Sequence, residues 1–337
     1  MTFIEEKIRI ACEKLREFTE IECQKIENVE MVRCGYKTEN RPPVDNFEPV
    51  TGGAPMKFTA DEHAWFRFSA EIPSVKENES IYLRFTTSRE GQWDSLNPQG
   101  MVFIDGETCL QGLDTNHTEF ELTPGKKTIN IYFYAGMNNA VLFPDFHLIT
   151  KNNDAEKLYY DIGVAFAAMK LLDKNSSTYA AVCNVLDRAC MLLDFRGLRS
   201  PEFYESVKTA GDFMQEEYFD KLCGKASEAD GEIALIGHTH IDVAWLWTLA
   251  QTEEKAERSF STVIKLMEKY PDYVFMSSQP QLYEYVKKND PELYEKIKTR
   301  IQEGRFEPEG AMWLESDTNL VSGESLIRQL LYGKKFM

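Results

Sequence analysis

The sequence predicts a multidomain protein with an antiparallel β-sandwich, a helical linker region and the start of a parallel α/β domain. Three observations lead to this fold class. The chain has 337 residues, more than the roughly 250–300 at which a single hydrophobic core stops growing. Apolar residues have the period of strands over residues 56–150 and the period of helices over residues 154–223. From residue 232 onward strand-like and helical stretches alternate, which indicates βα units.

The first element is predicted to be a helix. Apolar residues fall at helical spacing over residues 3–30, so we expect a helix within residues 1–35 that ends near Glu30. Cys12 and Cys23 are about three helical turns apart. They would share one face of this helix as two small core residues.

A jelly-roll-like β-sandwich is predicted over residues 40–150. Its strand-like stretches, separated by Gly, Pro and Asn turn signals, are 64–72, 81–85, 101–105, 117–122, 128–134 and 145–150. Sandwiches of this kind often carry carbohydrate-binding modules. Trp93 would stack on a sugar if it is exposed, and its alternative place is in the core or at a sheet edge.

Residues 154–225 are predicted to be a helical region. Its helices cover 158–173, 179–195 and 201–223. The small and charged stretch 225–231 then marks the boundary before the α/β domain, residues 230–337. Strands of this domain are expected over 232–237, 273–278 and 306–314, and helices over 252–269, 280–288, 291–304 and 322–337.

Composition excludes several classes of protein. The formal net charge of −17 at pH 7 does not suit nucleic-acid binding, which needs clustered Lys and Arg. The longest apolar runs, such as Ile233 to Ile236, are far too short to cross a membrane. The first residues lack the pattern of a signal peptide, and seven cysteines without a CxxC spacing indicate reduced thiols. We therefore expect a cytoplasmic protein without nucleic-acid or membrane partners.

The segment after the first strand of the α/β domain carries the chemistry. It reads Ile236-Gly237-His238-Thr239-His240-Ile241-Asp242-Val243-Ala244-Trp245. In extended chain His238, His240 and Asp242 would point the same way. Imidazole and carboxylate together suit zinc, and α/β active sites lie beyond the carboxyl ends of parallel strands. On spacing alone, three possibilities stay open: a zinc site, a satisfied polar turn, and a helix N-cap by Asp242.

Three segments resemble signatures of the family 38 α-mannosidases, a glycoside hydrolase family. Gly237 to Trp247 resembles the zinc-site signature, Phe275 to Tyr283 the second strand with its following helix, and Glu309 to Leu326 the third-strand segment. They occur in the family's order and cover residues 230–337. The sandwich and the helices resemble, more loosely, the front of the cytosolic and bacterial branch. The resemblance implies that the α/β domain is barrel-like and catalytic.

The same resemblance implies roles for residues of the motif. His240 and Asp242 would bind one zinc ion, and His238 would orient them or pack beside them. Trp245 would form a wall of the sugar-binding subsite, because an indole face suits the apolar side of a pyranose. Asp317 either approaches the same pocket or caps its own loop.

Family members hydrolyse α-mannosides with retention, using an aspartate nucleophile and a second carboxyl as acid and base. The metal orients substrate hydroxyls. The resemblance places both carboxyls beyond Met337, together with the two remaining metal ligands, which are the nucleophile itself and a histidine, since no histidine follows His240 and no acid follows Glu324. We therefore expect an N-terminal fragment of an enzyme for α-mannoside oligosaccharides. The fragment would be inactive by itself, and an open sheet edge would favour a homo-oligomer.

Two other functions are kept as alternatives. A metal-dependent amidohydrolase also opens its barrel with an HxH pair, but its site needs further histidines downstream. A carbohydrate-binding or scaffold protein built on the β-sandwich would be non-enzymatic. Glycan binding by residues 40–150 alone would favour that second alternative.

Overall fold

The structure is a computed structural model and describes residues 3–37, 40–43, 45–92, 98–106, 109–224 and 233–337. Trp93 and the predicted boundary at 225–231 lie outside the described residues. Within the described ranges, no helix combines the length and the apolar character needed to cross a membrane.

Two antiparallel sheets form the predicted β-sandwich. The strands are β1 (Glu20–Lys25), β2 (Val29–Cys34), β3 (Glu48–Val50), β4 (Met56–Phe58), β5 (His63–Ile72), β6 (Glu79–Thr86), β7 (Gln99–Ile104), β8 (Gln111–Asp114), β9 (Glu119–Leu122), β10 (Gly125–Tyr134), β11 (Ala140–Leu142) and β12 (Asp145–Asn152). One sheet has the order β1-β12-β6-β9 and the other β3-β2-β5-β10-β7-β8, while β4 and β11 pair separately. All six predicted strands are confirmed.

Aromatic side chains fill the space between the two sheets. Phe66 of β5 lies 5.1 Å, between ring centroids, from Phe146 of β12, and Phe85 of β6 lies 5.5 Å from Phe133 of β10. All four are buried in one hydrophobic cluster. The strand alternation seen in the sequence therefore points these residues inward and leaves their neighbours on the outer faces.

The predicted N-terminal helix over residues 1–35 is wrong in its second half. Helix α1 covers Phe3–Thr19, and the chain then enters β1, which pairs antiparallel with β12. Cys23 is exposed on β1, so it does not share a helical face with Cys12. Helical spacing of apolar residues was misleading here, because residues 20–25 form backbone hydrogen bonds with the edge of β12 and so become a strand.

Helix α1 packs with the helical region rather than with the sandwich. The region consists of α2 (Asn153–Met169), α3 (Ser177–Leu192) and α4 (Pro201–Met214), and α4 continues as a π-helical segment, Gln215–Cys223. The side chains of Asn152, Ser176 and Ser200 each accept a backbone N–H at the start of one helix. The predicted helices are confirmed, and they share one buried core with α1.

The α/β domain contains three parallel strands joined by helices, as predicted. The expected first strand, 232–237, is wrong in its position, because pairing with the next strand begins only at Gly237, and residues 233–236 are exposed and in no strand. Its strands are β13 (Gly237–His238), β14 (Phe275–Ser277) and β15 (Phe306–Pro308), paired in the order β13-β14-β15. Its helices are α5 (Leu249–Lys269), α6 (Pro280–Asn289), α7 (Pro291–Gln302) and α8 (Gly323–Phe336). The third strand is shorter than the predicted 306–314, because Gly310 adopts a positive φ of 94° and turns the chain out of the ladder.

Helix α5 connects this domain to the sandwich. One side of the helix contributes Phe260 to the α/β core. The other side meets the six-stranded sheet, where the hydroxyl of Tyr132 donates to Oε1 of Glu254 at 2.6 Å and the Gly112 N–H donates to Oγ1 of Thr262 at 2.9 Å. The sandwich therefore contacts α5, the helix that directly follows the predicted metal-binding segment, residues 236–245.

Candidate functional site

His240 lies between two carboxylates in the loop after β13. Its Nε2 is 2.9 Å from Oδ1 of Asp242, and its Nδ1 is 2.8 Å from Oε2 of Glu315. The three side chains are accessible, with exposed fractions of 52%, 41% and 40%. The structure thus brings the predicted pair together and adds a carboxylate from the loop after β15.

Glu315 was not singled out as a site residue from the sequence. It lies within the third family-like segment, and it follows a strand of the same parallel sheet. Because the carboxyl ends of parallel strands meet at one edge of a sheet, that position was a usable signal. The missing information was which of the acids in this loop turns toward His240.

The two carboxylates favour the protonated form of His240. The hydrogen bond to Asp242, together with the charge of Glu315, raises the pKa of this imidazole above its ordinary value. With a proton on each ring nitrogen, His240 donates one hydrogen bond to Asp242 and one to Glu315. In the neutral tautomer with the proton on Nδ1, the hydrogen bond to Glu315 is kept and Nε2, next to the Asp242 carboxylate, has a lone pair free for a metal ion.

Gln279 ties the loops after the three strands together. This residue is 4% exposed and sits at a φ of 66° just before α6. Its Nε2 donates to the carbonyl oxygen of Ile241 at 2.9 Å, and its Oε1 accepts from the Glu315 N–H at 3.4 Å. The hydroxyl of Ser278 also donates to Glu315. The end of β14 therefore fixes the loop of His240 against the loop of Glu315.

The far end of the motif is anchored on α5. Oγ1 of Thr248 accepts from the Gln251 N–H at 3.3 Å, which makes Thr248 the N-cap of that helix. The alternative in which Asp242 caps the helix is therefore wrong. Trp247 donates from Nε1 to Oγ1 of Thr252 at 3.1 Å, and this bond holds the motif's second tryptophan against α5.

The remaining predicted residues occupy separate positions. Trp245 is 59% exposed, with its ring edge-on to Trp247 at 5.5 Å between centroids. His238 is exposed on β13. The Asp317 carboxylate accepts from the N–H of Asn319 at 2.9 Å, so it caps its own loop. The described contacts of Asp317 do not join it to His240.

The donor atoms of His240 and Asp242 fit a zinc ion. Two ligands of a tetrahedral zinc at about 2.0–2.2 Å lie about 3.3–3.5 Å apart, and a small side-chain rotation widens the observed 2.9 Å to that value. A carboxylate on the other ring nitrogen, here Glu315, is the usual partner of a metal-binding histidine. Among the described residues, no group of three or more His, Cys, Asp or Glu is arranged to hold a metal ion.

Comparison with known proteins places this geometry in context. The model of the glycosyl hydrolases family 38 N-terminal domain matches residues 230–337. Alpha-mannosidase G of Dictyostelium discoideum is 33% identical over 297 residues, which cover 81% of this chain and 26% of that protein. The alpha-mannosidase of Saccharomyces cerevisiae is 30% identical over 301 residues, with 81% and 26% covered.

A solved carbohydrate binding module of family 35, from an environmental isolate, matches 39% of this chain and 93% of its own length. Its identity is 12% and its TM-score 0.21, and a likeness this low carries no argument.

The extent of these matches matters for what they show. The chain spans about a quarter of the length of the curated relatives it matches. Because 297 matched residues are more than residues 230–337 contain, the similarity continues into the helices and the sandwich. Residues 230–337 belong to the glycosyl hydrolases family 38 N-terminal domain.

Proposed function

We propose that this chain supplies the metal-binding and sugar-binding part of a zinc-dependent glycoside hydrolase that acts on α-mannosides with retention. The observation that carries the proposal is His240, held on Nδ1 by Glu315 with Nε2 at 2.9 Å from Asp242. Relatives named alpha-mannosidase support the substrate class. They give no support to a metal-dependent amidohydrolase.

The residues divide the work by their chemistry. His240 through Nε2 and Asp242 through Oδ1 would hold the zinc, which supplies Lewis-acid and orienting chemistry for sugar hydroxyls. Glu315 keeps the proton of His240 on Nδ1 and fixes the ring. Trp245 offers an exposed indole face to the apolar side of a pyranose. The nucleophile and the acid/base of a retaining hydrolase are assigned to no residue of this chain.

Zinc binding tests the proposal directly. Calorimetry on the apo chain should show weak binding, because two protein ligands are fewer than the three or four of ordinary zinc sites. His240→Ala should abolish it, and Glu315→Gln should weaken it about 10–100-fold. His117→Ala is the matched control, since His117 is also an exposed histidine beside a carboxylate, Asp114. Zinc binding that survives His240→Ala would overturn the proposed site.

Turnover tests the assignment of the chemical step. The purified chain should not hydrolyse an activated aryl α-mannoside, because losing either carboxyl of a retaining glycosidase costs many orders of magnitude. Turnover that disappears with Asp242→Asn would show that this chain holds a complete active site. Residence in the cytoplasm and assembly into homo-oligomers stay predictions.

A further inference from the structure

A cleft of about 690 Å³ opens where the sandwich, the helical region and α5 meet. Its floor is the outer face of the four-stranded sheet, which presents Tyr82 and Arg84 from β6 and Lys151 from β12. These residues alternate with core residues, so they face away from the sandwich interior. The walls include Tyr160 of α2 and Tyr270 at the end of α5. Among the described residues that line the cleft, none belongs to the metal motif.

The charges at the cleft nearly balance, since the cations Arg16, Arg84, Lys151 and Lys269 lie beside the carboxylates Glu20, Glu119 and Glu156, and Lys269 is paired with Glu121. Nε of Arg84 donates to Oε1 of Glu119 at 2.9 Å, and Arg84 also donates to Glu20. Nζ of Lys151 lies 2.6 Å from Oε2 of Glu119 and 2.9 Å from Oε1 of Glu156. An anionic ligand would have to break these pairs before it gained Arg84 or Lys151. The floor therefore favours a ligand without net charge.

The same groups exclude an apolar ligand and favour hydroxyl groups. Covering paired guanidinium, ammonium and carboxylate groups with hydrocarbon would desolvate them without replacing their bonds to water. The network holds donors and acceptors in fixed positions, and hydroxyl groups can act as both. The volume lies within the roughly 300–1,000 Å³ of ligand sites.

Aromatic faces complete the recognition chemistry. Tyr160 is 58% exposed and Tyr270 is 53% exposed, so each ring has surface available to a ligand. The C–H face of a pyranose packs on an aromatic ring, while its hydroxyls bond to polar neighbours. A polar, charge-balanced floor beside tyrosine walls is the combination that binds sugars.

We propose that this cleft is a saccharide-binding site for a neutral oligosaccharide, separate from the metal loop. The proposal does not rest on the proposed hydrolase activity, because no residue is shared between the two sites. A ligand in the cleft would touch the sandwich, α2 and α5 at once. It would therefore hold the three parts of the chain in one arrangement.

The test uses the whole chain with mannotriose and maltotriose as probes, followed by saturation-transfer NMR and calorimetry at millimolar concentrations. Binding of at least one saccharide is expected. Tyr160→Ala and Tyr270→Ala should each weaken it about three- to tenfold, the range for losing one aromatic contact. Tyr332→Ala is the matched control, an exposed tyrosine of α8 with 49% exposure. It should leave the affinity unchanged.

Three results would overturn the proposal. The first is that neither saccharide binds. The second is that Tyr160→Ala and Tyr270→Ala both keep the wild-type affinity, which would place the sugar outside the cleft. The third is that inorganic phosphate displaces the saccharide, which would show an anion site. Both tyrosines are more than half exposed, so the variants should keep the wild-type melting temperature, and that measurement separates lost binding from lost folding.

Discussion

Lys37 and Glu257 form a buried ion pair between the sandwich and α5. Their side chains are 7% and 1% exposed, and Nζ lies 2.6 Å from Oε2. The second carboxylate oxygen of Glu257, Oε1, has no hydrogen-bond partner among the described residues. Burial raises the pKa of this carboxyl above its ordinary 4.5, while the charge of Lys37 opposes the rise.

Replacing Lys37 with methionine removes the charge and keeps most of the hydrophobic stem. An ionised and unpaired Glu257 would then cost about 3–5 kcal/mol of stability. Protonation limits this cost at low pH. The pKa of Glu257 is higher in the folded state than in the unfolded chain. Between these two pKa values the folded state keeps a proton that the unfolded chain releases, so stability falls as pH rises. The fall is about 1.4 kcal/mol per pH unit until the ionised limit is reached.

Hydrogen exchange of the α5 amides in urea reports on this interface rather than on an average over domains. Lys37→Met should lower the protection of α5 more at pH 8 than at pH 5. The double variant Lys37→Met/Glu257→Leu should recover most of the loss, since an apolar pair leaves no buried charge. Equal losses at both pH values, or a double variant weaker than the single one, would refute this reasoning.

Three other substitutions have defined outcomes. Phe260 is 0% exposed in the α/β core, so Phe260→Ala should lower the free energy of unfolding by about 3–5 kcal/mol. Unchanged hydrogen-exchange protection of α5 would contradict this packing of Phe260. Gly112→Ala puts a Cβ 1.8 Å from Cγ of Arg258 on α5, and this overlap should cost about 1–3 kcal/mol of stability. The control is Gly163→Ala in α2, where the added Cβ meets nothing within 4 Å. It should stabilise the chain by about 0.5–1 kcal/mol, so equal changes in melting temperature for the two variants would refute the reasoning. Although burial opposes it, hydrogen bonding from His117 lowers the pKa of Asp114 to about 2. Asp114→Asn should therefore destabilise the chain more at pH 5 than at pH 2, and a loss of stability independent of pH would contradict this role of Asp114.

Local patterns in the sequence predicted much of the fold. Strand β10, Gly125–Tyr134, and helix α7, Pro291–Gln302, have periods of two and of about 3.6 residues and start or end at Gly or Pro. Such signals depend on neighbours within a few residues, so they can be recognised without knowing the fold. The prediction that the first helix ends near Glu30 was wrong for the opposite reason, since α1 ends at Thr19. The partner of β1 is β12, more than a hundred residues away, and nothing local marks that pairing.

The candidate site divides in the same way. The spacing of His240 and Asp242 placed two ligands on one loop, and the structure joins them. Glu315 lies in the loop after a strand two βα units later, so its approach to His240 depends on how the sheet assembles. Gln279 joins both loops through buried hydrogen bonds that no periodicity indicates.

The sequence by itself determined the order of sheets and helices, the parallel βα units and the position of the metal-like motif, because period, turn residues and ligand spacing are short-range properties. Tertiary structure alone decided that residues 20–25 pair as a strand, that Glu315 orients His240, and that the polar side of α5 is buried. In particular, Glu254 and Glu257 are 7% and 1% exposed because the sandwich supplies Tyr132 and Lys37 to meet them. Burial of a charge depends on partners brought from distant parts of the chain, and only the folded structure supplies those partners.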